Sequence, residues 1–589
     1  MAPPHPAAAA LDDRYHAMLT ILQHIEVMGV GGPHEQEQAA RALGTLAENN
    51  DANKAAIAAA GAIPPLVRLL ASRSEDSQEG ATMALANLIR NNDANQGALA
   101  AGAGIPPLVR LLDSGSVGVQ SQAARALGNL AADNDANQAA IAATGGIPPL
   151  VRLLGSGSAG AQEEAAAALG NLAVSDANVT AIAAAGGITP LVQLLGSRSA
   201  GVQEQAASTL GDLAVNDANQ SAIAAASAIP PLVRLLGSSS AGVLEEAARA
   251  LGNLAVNNDA NRAAIAAGGG MPSLIRLLGS GSACAQEGAV RALASLAVSD
   301  ASRAAIAAGG GIPPLLRMLG SGSACVQEQA ARTLANLAFS NAVNRATIAS
   351  AGGIPPLVRL LRSGSTGSQR QAARALTNLA VNDANQASIP AAGAIPSLVQ
   401  LLGSGSVYVA KEAVRALWVL AVSDANQAAI AAGGGIPPLV RLLGSGSKGV
   451  QQGAAGVLAN LAVNNPANRA AIAAAGGIPP LVRLLSSSSK DLQGGAAWTL
   501  ANLAANDAAN KAAIAAADSI LPLVRLLGSG STGVQEGAAG ALGNLAVNNV
   551  ANQAAIAAAG GIPPLVLLLG SGSAGVHEKA ARALASLRH

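Results

Sequence analysis

The chain has 589 residues, a formal net charge of +1 and 12% charged residues, about half the roughly 25% of ordinary soluble domains. Aromatic residues make up 1%, too few for the stacking platforms of single-strand and RNA readers, and no basic stripe replaces them, so nucleic acid is excluded as a partner. One self-similar phrase runs from about Asn53 to Leu587, so the length is read as one elongated domain rather than several globular ones.

In chain order, residues 1–10 are expected to be a disordered tail, 11–50 an incomplete capping repeat and 51–589 a repeat solenoid. The start, Met1-Ala-Pro-Pro-His, has no basic segment followed by an apolar core, and Ala2 does not suit N-myristoylation. The cap lacks the Ile-Pro-Pro of later copies, while Glu35 to Leu46 keep the pattern of the last helix of a repeat. From there the phrase Ile-Pro-Pro-Leu-Val-Arg-Leu-Leu returns with small changes at 41- or 42-residue spacings from Ile63 to Ile562, with Met271 once in place of Ile, giving thirteen full units. A period of this size marks a solenoid in which each unit buries its apolar face only by stacking on its neighbours.

The copy from Asn137 to Asp176 shows how each unit is built. A short helix over Asn137 to Thr144 stops at Gly145-Gly146, both suited to a left-handed exit. Pro148 and Pro149 fit only the first turn of a helix, so a second helix starts there and buries Leu150, Val151, Leu153 and Leu154. After Gly155-Ser156-Gly157, Ser158 caps a third helix whose Ala165, Ala168, Leu169 and Leu172 recur at helical spacing. No segment alternates as a strand does. From Ala554 to Val576 no charge occurs, but Gly560, Gly561, Pro563 and Pro564 stand in register with the other copies, so a membrane span is not expected. Cys284 and Cys325, 41 residues apart, are expected to be free thiols, because stacked helices hold equivalent positions beyond disulfide reach.

Catalysis finds no foothold. The six histidines, His5, His16, His24, His34, His577 and His589, lie near the chain ends and lack metal-ligand spacing. The Gly-Ser turns, even Gly444 to Gly449 with Lys448, lack a preceding strand and join helices. No metal, cofactor or small-molecule substrate is expected.

Three helices per period, the first very short, together with Gly145 to Leu154 and Ala124 to Ala131, resemble the armadillo repeat family over about nine-tenths of the chain. The phrase is similar to that of the vacuolar armadillo scaffold and of plant-type U-box armadillo proteins, and more distantly to importin-alpha. The resemblance implies an all-α, right-handed alpha-alpha superhelix whose third helices line a concave groove. In several members an Asn near the end of that helix bonds the backbone of an extended peptide, a role it maps onto Asn87, Asn129, Asn171, Asn253, Asn336, Asn378, Asn460, Asn502 and Asn544. The alternative is that each Asn ties two helices together inside the stack. Asp212, Ser295 and Val419 interrupt the row.

Import adaptors carry Trp four residues before that Asn. Here only Trp498 does so, and the position is often Arg, as at Arg41, Arg125, Arg249, Arg291, Arg332, Arg374, Arg415 and Arg582. An arginine-lined groove disfavours basic cargo and suits acidic or phosphorylated segments. Glu37, Glu245, Glu287, Glu328 and Glu578 stand four residues before such arginines and are expected to pair with them. The stretch around 370–415, with Arg374 and Arg415 unpaired and Arg370 and Lys411 added, is the expected anion-attracting part. A second arginine row, from Arg68 to Arg525 late in the second helices, is expected on the solvated outer face. Trp418 takes a position that is small in other copies, and either projects as a binding residue or is accommodated by local repacking.

The expected function is a non-enzymatic scaffold or adaptor that binds extended or disordered protein segments, without direct membrane insertion. A cytoplasmic setting is expected, with nuclear or organelle association only through a partner. The alternatives are a nuclear-import cargo adaptor, the substrate-recognition subunit of a ubiquitin ligase, and an architectural spacer.

Overall fold

A computed structural model describes residues 6–588, with side chains from His16 onward. Among the described residues there are helices and no strands, in two compact units, Met1–Gly309 and Gly310–His589. Thirteen successive helix triplets follow an amino-terminal pair. The first helix of the pair takes in part of the expected tail. Helix Pro6–Val30 already covers residues 6–10, which combine a proline in the first turn with an alanine run of high helix propensity, while 1–5 lie outside the described residues. The second helix, Pro33–Ala47, is the expected third-helix equivalent, and Glu35 accepts from the Gly32 amide at 2.9 Å to start it.

The triplet Asp135–Ala143, Ile147–Leu153 and Ala159–Leu172 shows why these residues fold so. Asn134 caps the first helix, accepting from the Asn137 amide at 3.0 Å. The two glycines that follow have different jobs. Gly145 takes the left-handed exit at φ +80°, whereas Gly146 lies at φ −72° as the residue before the second helix. A Cβ on Gly146 would come within 2.8 Å of Ile141 Cγ2, so that glycine is needed for close approach, not for its φ. Ile141, Leu150, Leu169 and Leu172 are fully buried, each worth about 1.5–3 kcal/mol of apolar burial. Within each unit, consecutive third helices pack on one another.

The alternation between 41 and 42 residues has a local cause. Each 42-residue interval carries one left-handed residue after its third helix, namely Asn91, Asp133, Asn257, Ser340, Asn464, Asn506 and Asn548, all between φ 49° and 54°. The 41-residue intervals, such as the one after Leu172, have none there. Asn and Asp tolerate this conformation through local hydrogen bonding, so the extra residue is absorbed without disturbing the stack.

The uncharged stretch before Val576 includes parts of two short helices, Val550–Ala558 and Ile562–Leu568, bent by 85°. No single helix among the described residues is long and apolar enough to cross a membrane. Both cysteines are free thiols.

Candidate protein-binding face

The asparagine row lies near the end of successive third helices, where the last turn leaves backbone carbonyls without intrahelical partners. Asn87 Nδ2 donates to the Gly44 carbonyl at 3.1 Å, Asn129 to Ala86 at 3.0 Å and Asn171 to Gly128 at 3.0 Å. Asn253 reaches Gly211 at 2.9 Å, Asn378 reaches Ala335 at 2.8 Å, Asn502 reaches Ala459 at 3.0 Å and Asn544 reaches Ala501 at 2.8 Å. Every acceptor belongs to the preceding third helix, so one N–H of each of these amides ties two repeats together. The other N–H and Oδ1 complete the amide's hydrogen-bonding capacity. Asn87, Asn336 and Asn378 are buried, whereas Asn129, Asn171, Asn253, Asn460, Asn502 and Asn544 are half-buried.

A second asparagine set, which the sequence reading noted only as the start of each copy, does similar work. Asn95, Asn137, Asn261 and Asn468 are buried in the first helices and donate to third-helix carbonyls at 2.9 Å. The spacing of Asn seven residues beyond the third-helix Leu was the available signal.

The arginines divide into neutralised and crowded groups. Arg249 is held by Asp212 at 2.6 Å and Glu246 at 2.7 Å and donates to the Ser208 carbonyl at 2.8 Å, so Asp212 interrupts the asparagine row because it pairs with the next repeat. Of the expected four-residue pairs, Arg41–Glu37 forms at 2.9 Å and Arg291–Glu287 at 2.8 Å. Glu578 instead contacts Lys579 at 3.3 Å, and the Glu328 carboxylate lies against Gly367 of the next third helix. Arg374 is half-buried and donates to Asn336 Oδ1 at 2.9 Å. Burial pushes its guanidinium below the ordinary arginine range. Glu412 opposes that shift, while Arg332, Arg415 and Arg370 add to it. Arg415 is exposed, and the Arg370 guanidinium stands 6.0 Å from the Tyr408 ring centre. The outer arginine row is exposed where expected, as at Arg68, Arg110 and Arg152, the last paired with Asp113 at 2.8 Å.

Trp418 is 40% exposed and lies over Gly456, where an added Cβ would come within 2.7 Å of Cε2. Trp498 has a different setting. With Asn502, Asn544, Lys511, Lys579 and Arg582 it lines a hollow of about 310 Å³ that has no acidic residue in its wall. Lys511 is buried and donates to the Val547 carbonyl at 2.6 Å, and burial lowers its pKa, with Asp507 opposing. The structure thus brings Trp498, Asn502 and Asn544 into one hollow, while Trp418 packs between the third helices that carry it and Gly456.

The model of the Armadillo/beta-catenin-like repeat family matches residues 50–90, 98–132, 134–174, 175–215, 216–256, 299–339, 341–381, 382–422, 423–463, 465–505, 507–547 and 549–588. The chain belongs to the armadillo repeat family. The unmatched stretch 257–298 still folds as a triplet, Asp259–Ala267, Gly270–Leu277 and Ala283–Leu296, with Met271 and Ser273 in place of the usual Ile and second Pro. Among solved structures, an engineered protein from the Northeast Structural Genomics Consortium is 39% identical, covers 68% of this chain and 99% of its own, and has a TM-score of 0.63. Another engineered protein from that consortium is 39% identical over 40% of this chain and 96% of its own, with a TM-score of 0.39. No curated protein matches. The armadillo solenoid is a fold generally used for protein binding and is typically a non-enzymatic scaffold.

Proposed function

We propose that this armadillo protein is a non-enzymatic scaffold or adaptor that takes extended protein segments along its third-helix face, and that residues 310–589 select acidic ones. The hollow at Trp498 is the observation that carries this reading. It joins an aromatic ring, two amides and the cations of Lys511, Lys579 and Arg582 without a carboxylate in its wall. An Asp or Glu side chain, or a phosphate, meets charge-assisted donors there, while the amides serve its backbone. The Arg370, Arg374 and Arg415 cluster extends the same preference, since mutual repulsion among these cations is relieved by an anion. On this reading the chain works in the cytoplasm, a setting suited to its two free thiols.

Trp498 supplies its own reporter once Trp418 is replaced by Phe, because the chain has two tryptophans. Titrating that variant with a synthetic glutamate-rich peptide is expected to change the emission saturably and to lose the change with Lys579→Glu and Arg582→Glu. Unchanged emission, or an equal change in the charge-reversed variant, contradicts the reading.

A further inference from the structure

The two units carry opposite charge. Residues 1–309 hold 16 basic and 25 acidic residues, a net −9, and residues 310–589 hold 19 and 9, a net +10. In the second unit much of the excess lies on the outer arginine row and the turns after it, not on the asparagine row. From the second helix of each triplet through the first residue of the third, residues 310–589 carry eight cations and no carboxylate. The nearest carboxylate in sequence is Asp491, next to Lys490. Arg317, Arg359, Arg441, Arg483 and Arg525 are exposed and make no hydrogen bond or ion pair among the described residues, so nothing within the stack uses their charge. The same edge of residues 1–309 includes Glu75 and Asp113, and Asp113 already holds Arg152.

A second, independent feature lies on this edge. It exposes apolar side chains among its cations. Leu567 stands where the other copies carry Arg or Gln and is 79% accessible. Leu521 stands where most copies carry Pro, four residues before Arg525 and therefore on the same side of its helix, and is exposed. Val407 takes the position that Lys448 and Lys490 hold in the next two repeats, and both it and Tyr408 beside it are exposed, the tyrosine at 68%.

We propose that this outer edge of residues 310–589 docks on an anionic phospholipid bilayer. Its guanidinium and ammonium groups take headgroup phosphates and carboxylates, and Leu521, Leu567, Val407 and Tyr408 enter the interfacial layer between the headgroups. Charge complementarity sets the sign of the occupant. A guanidinium engages one phosphate bidentately, so separate guanidinia on successive repeats, about 8–10 Å apart, suit a surface of many phosphates and not a single ligand. A soluble polyanion leaves the apolar side chains unmatched, whereas the bilayer interface receives aliphatic and aromatic groups beside its charged heads. The negative charge of residues 1–309 disfavours that unit on the same surface. The docking is peripheral and needs no helix that crosses the bilayer. It leaves the hollow at Trp498 unused, so this inference and the peptide-binding reading fail separately.

The test is flotation of the full chain with vesicles of phosphatidylcholine containing about 30% phosphatidylserine, and with vesicles of phosphatidylcholine alone. Binding is read at about 50 mM and about 300 mM salt. The chain is expected to bind the serine-lipid vesicles at least about tenfold tighter than the neutral ones, and more weakly at higher salt. Arg441→Gln, Arg483→Gln and Arg525→Gln together are expected to weaken this binding by about tenfold or more, and Leu521→Ser with Leu567→Ser by about fivefold. Arg68→Gln, Arg110→Gln and Arg234→Gln make the same charge change in the acidic unit and are expected to leave it unchanged. All the substituted side chains are exposed, and unchanged circular dichroism melting shows that the fold is kept. Equal binding to both vesicles, binding to neither, full binding by the variant at 441, 483 and 525, or equal losses in the two arginine variants overturns the proposal. Unchanged binding by the leucine variant also overturns it, because the edge then recognises charge alone and not a bilayer.

Discussion

The indole of Trp418 fills the space that a side chain on Gly456 would need, since a Cβ there would lie 2.7 Å from Cε2 and 2.8 Å from Nε1. Gly456 occupies the position that is Arg in the neighbouring copies at Arg374 and Arg415. The bulky residue in one repeat and the missing side chain in the next therefore form one packing unit. In a Trp498→Phe background, Gly456→Arg is expected to drive the indole into water, red-shift its emission and cost about 1–3 kcal/mol in urea unfolding. With Trp418→Ala present, the same substitution should cost almost nothing, and a double-mutant cycle reads the difference.

The asparagine row has two duties, and its mutants should show both. Asn378→Ala and Asn544→Ala each remove a 2.8 Å bond to a carbonyl of the preceding repeat. Each is expected to cost about 1 kcal/mol of stability, measured by urea titration. Changes that leave the urea midpoint untouched would show that these bonds contribute nothing to the stack.

Glu204 gives a pH-dependent handle. Its folded pKa is raised from 4.5 by burial and by the neighbouring carboxylates of Glu246, Glu163 and Glu245. A carboxyl whose folded value lies above the unfolded one favours the fold while protonated, so its contribution is present below about pH 4.5 and is lost as pH rises through the raised value. Glu204→Gln is therefore expected to stabilise the protein at pH 7, by only about 0.3 kcal/mol because the group is partly solvated. Thermal melts at about pH 4 should show no difference between the two proteins.

Left-handed residues are the other place where sequence and stability meet. Asn257 sits at φ 51° after the helix Ala241–Leu254. Asn257→Val places a β-branched side chain in that conformation and is expected to cost about 1–2 kcal/mol by urea titration, whereas Asn257→Gly should be tolerated.

Much of this molecule was legible in its sequence because the same instruction is written thirteen times. The prolines after each Ile, the serine before each third helix and the buried Leu positions announce the helix triplet, and the triplet is what forms. What single residues do at a seam between repeats was not legible. Gly145 and Gly146 look alike on paper, yet only Gly145 has a positive φ, and Gly146 is fixed by the nearness of Ile141. The 41–42 alternation was visible, but its cause, a left-handed residue after the third helix, needed backbone angles. For the asparagine row the sequence left groove and stack as rival uses. The geometry gives one N–H of seven amides to the stack and leaves six of the nine side chains half-buried. Of the five expected Glu–Arg pairs, Glu37–Arg41 and Glu287–Arg291 form, and a side chain can reach a neighbouring repeat as easily as its own, as Arg249 does toward Asp212 of the preceding one. The opposite charges of the two units were hidden by a total of +1.

Calorimetric titration of the intact chain with a glutamate-rich peptide of about 18 residues, repeated on a variant carrying Arg374→Glu, Arg415→Glu, Lys579→Glu and Arg582→Glu, tests ligand selection by the third-helix face most directly. Micromolar binding that falls at least about tenfold in the variant, with the thermal melt preserved, is the expected result. Equal affinity in the two proteins, or no binding by the intact chain at low salt, would contradict it.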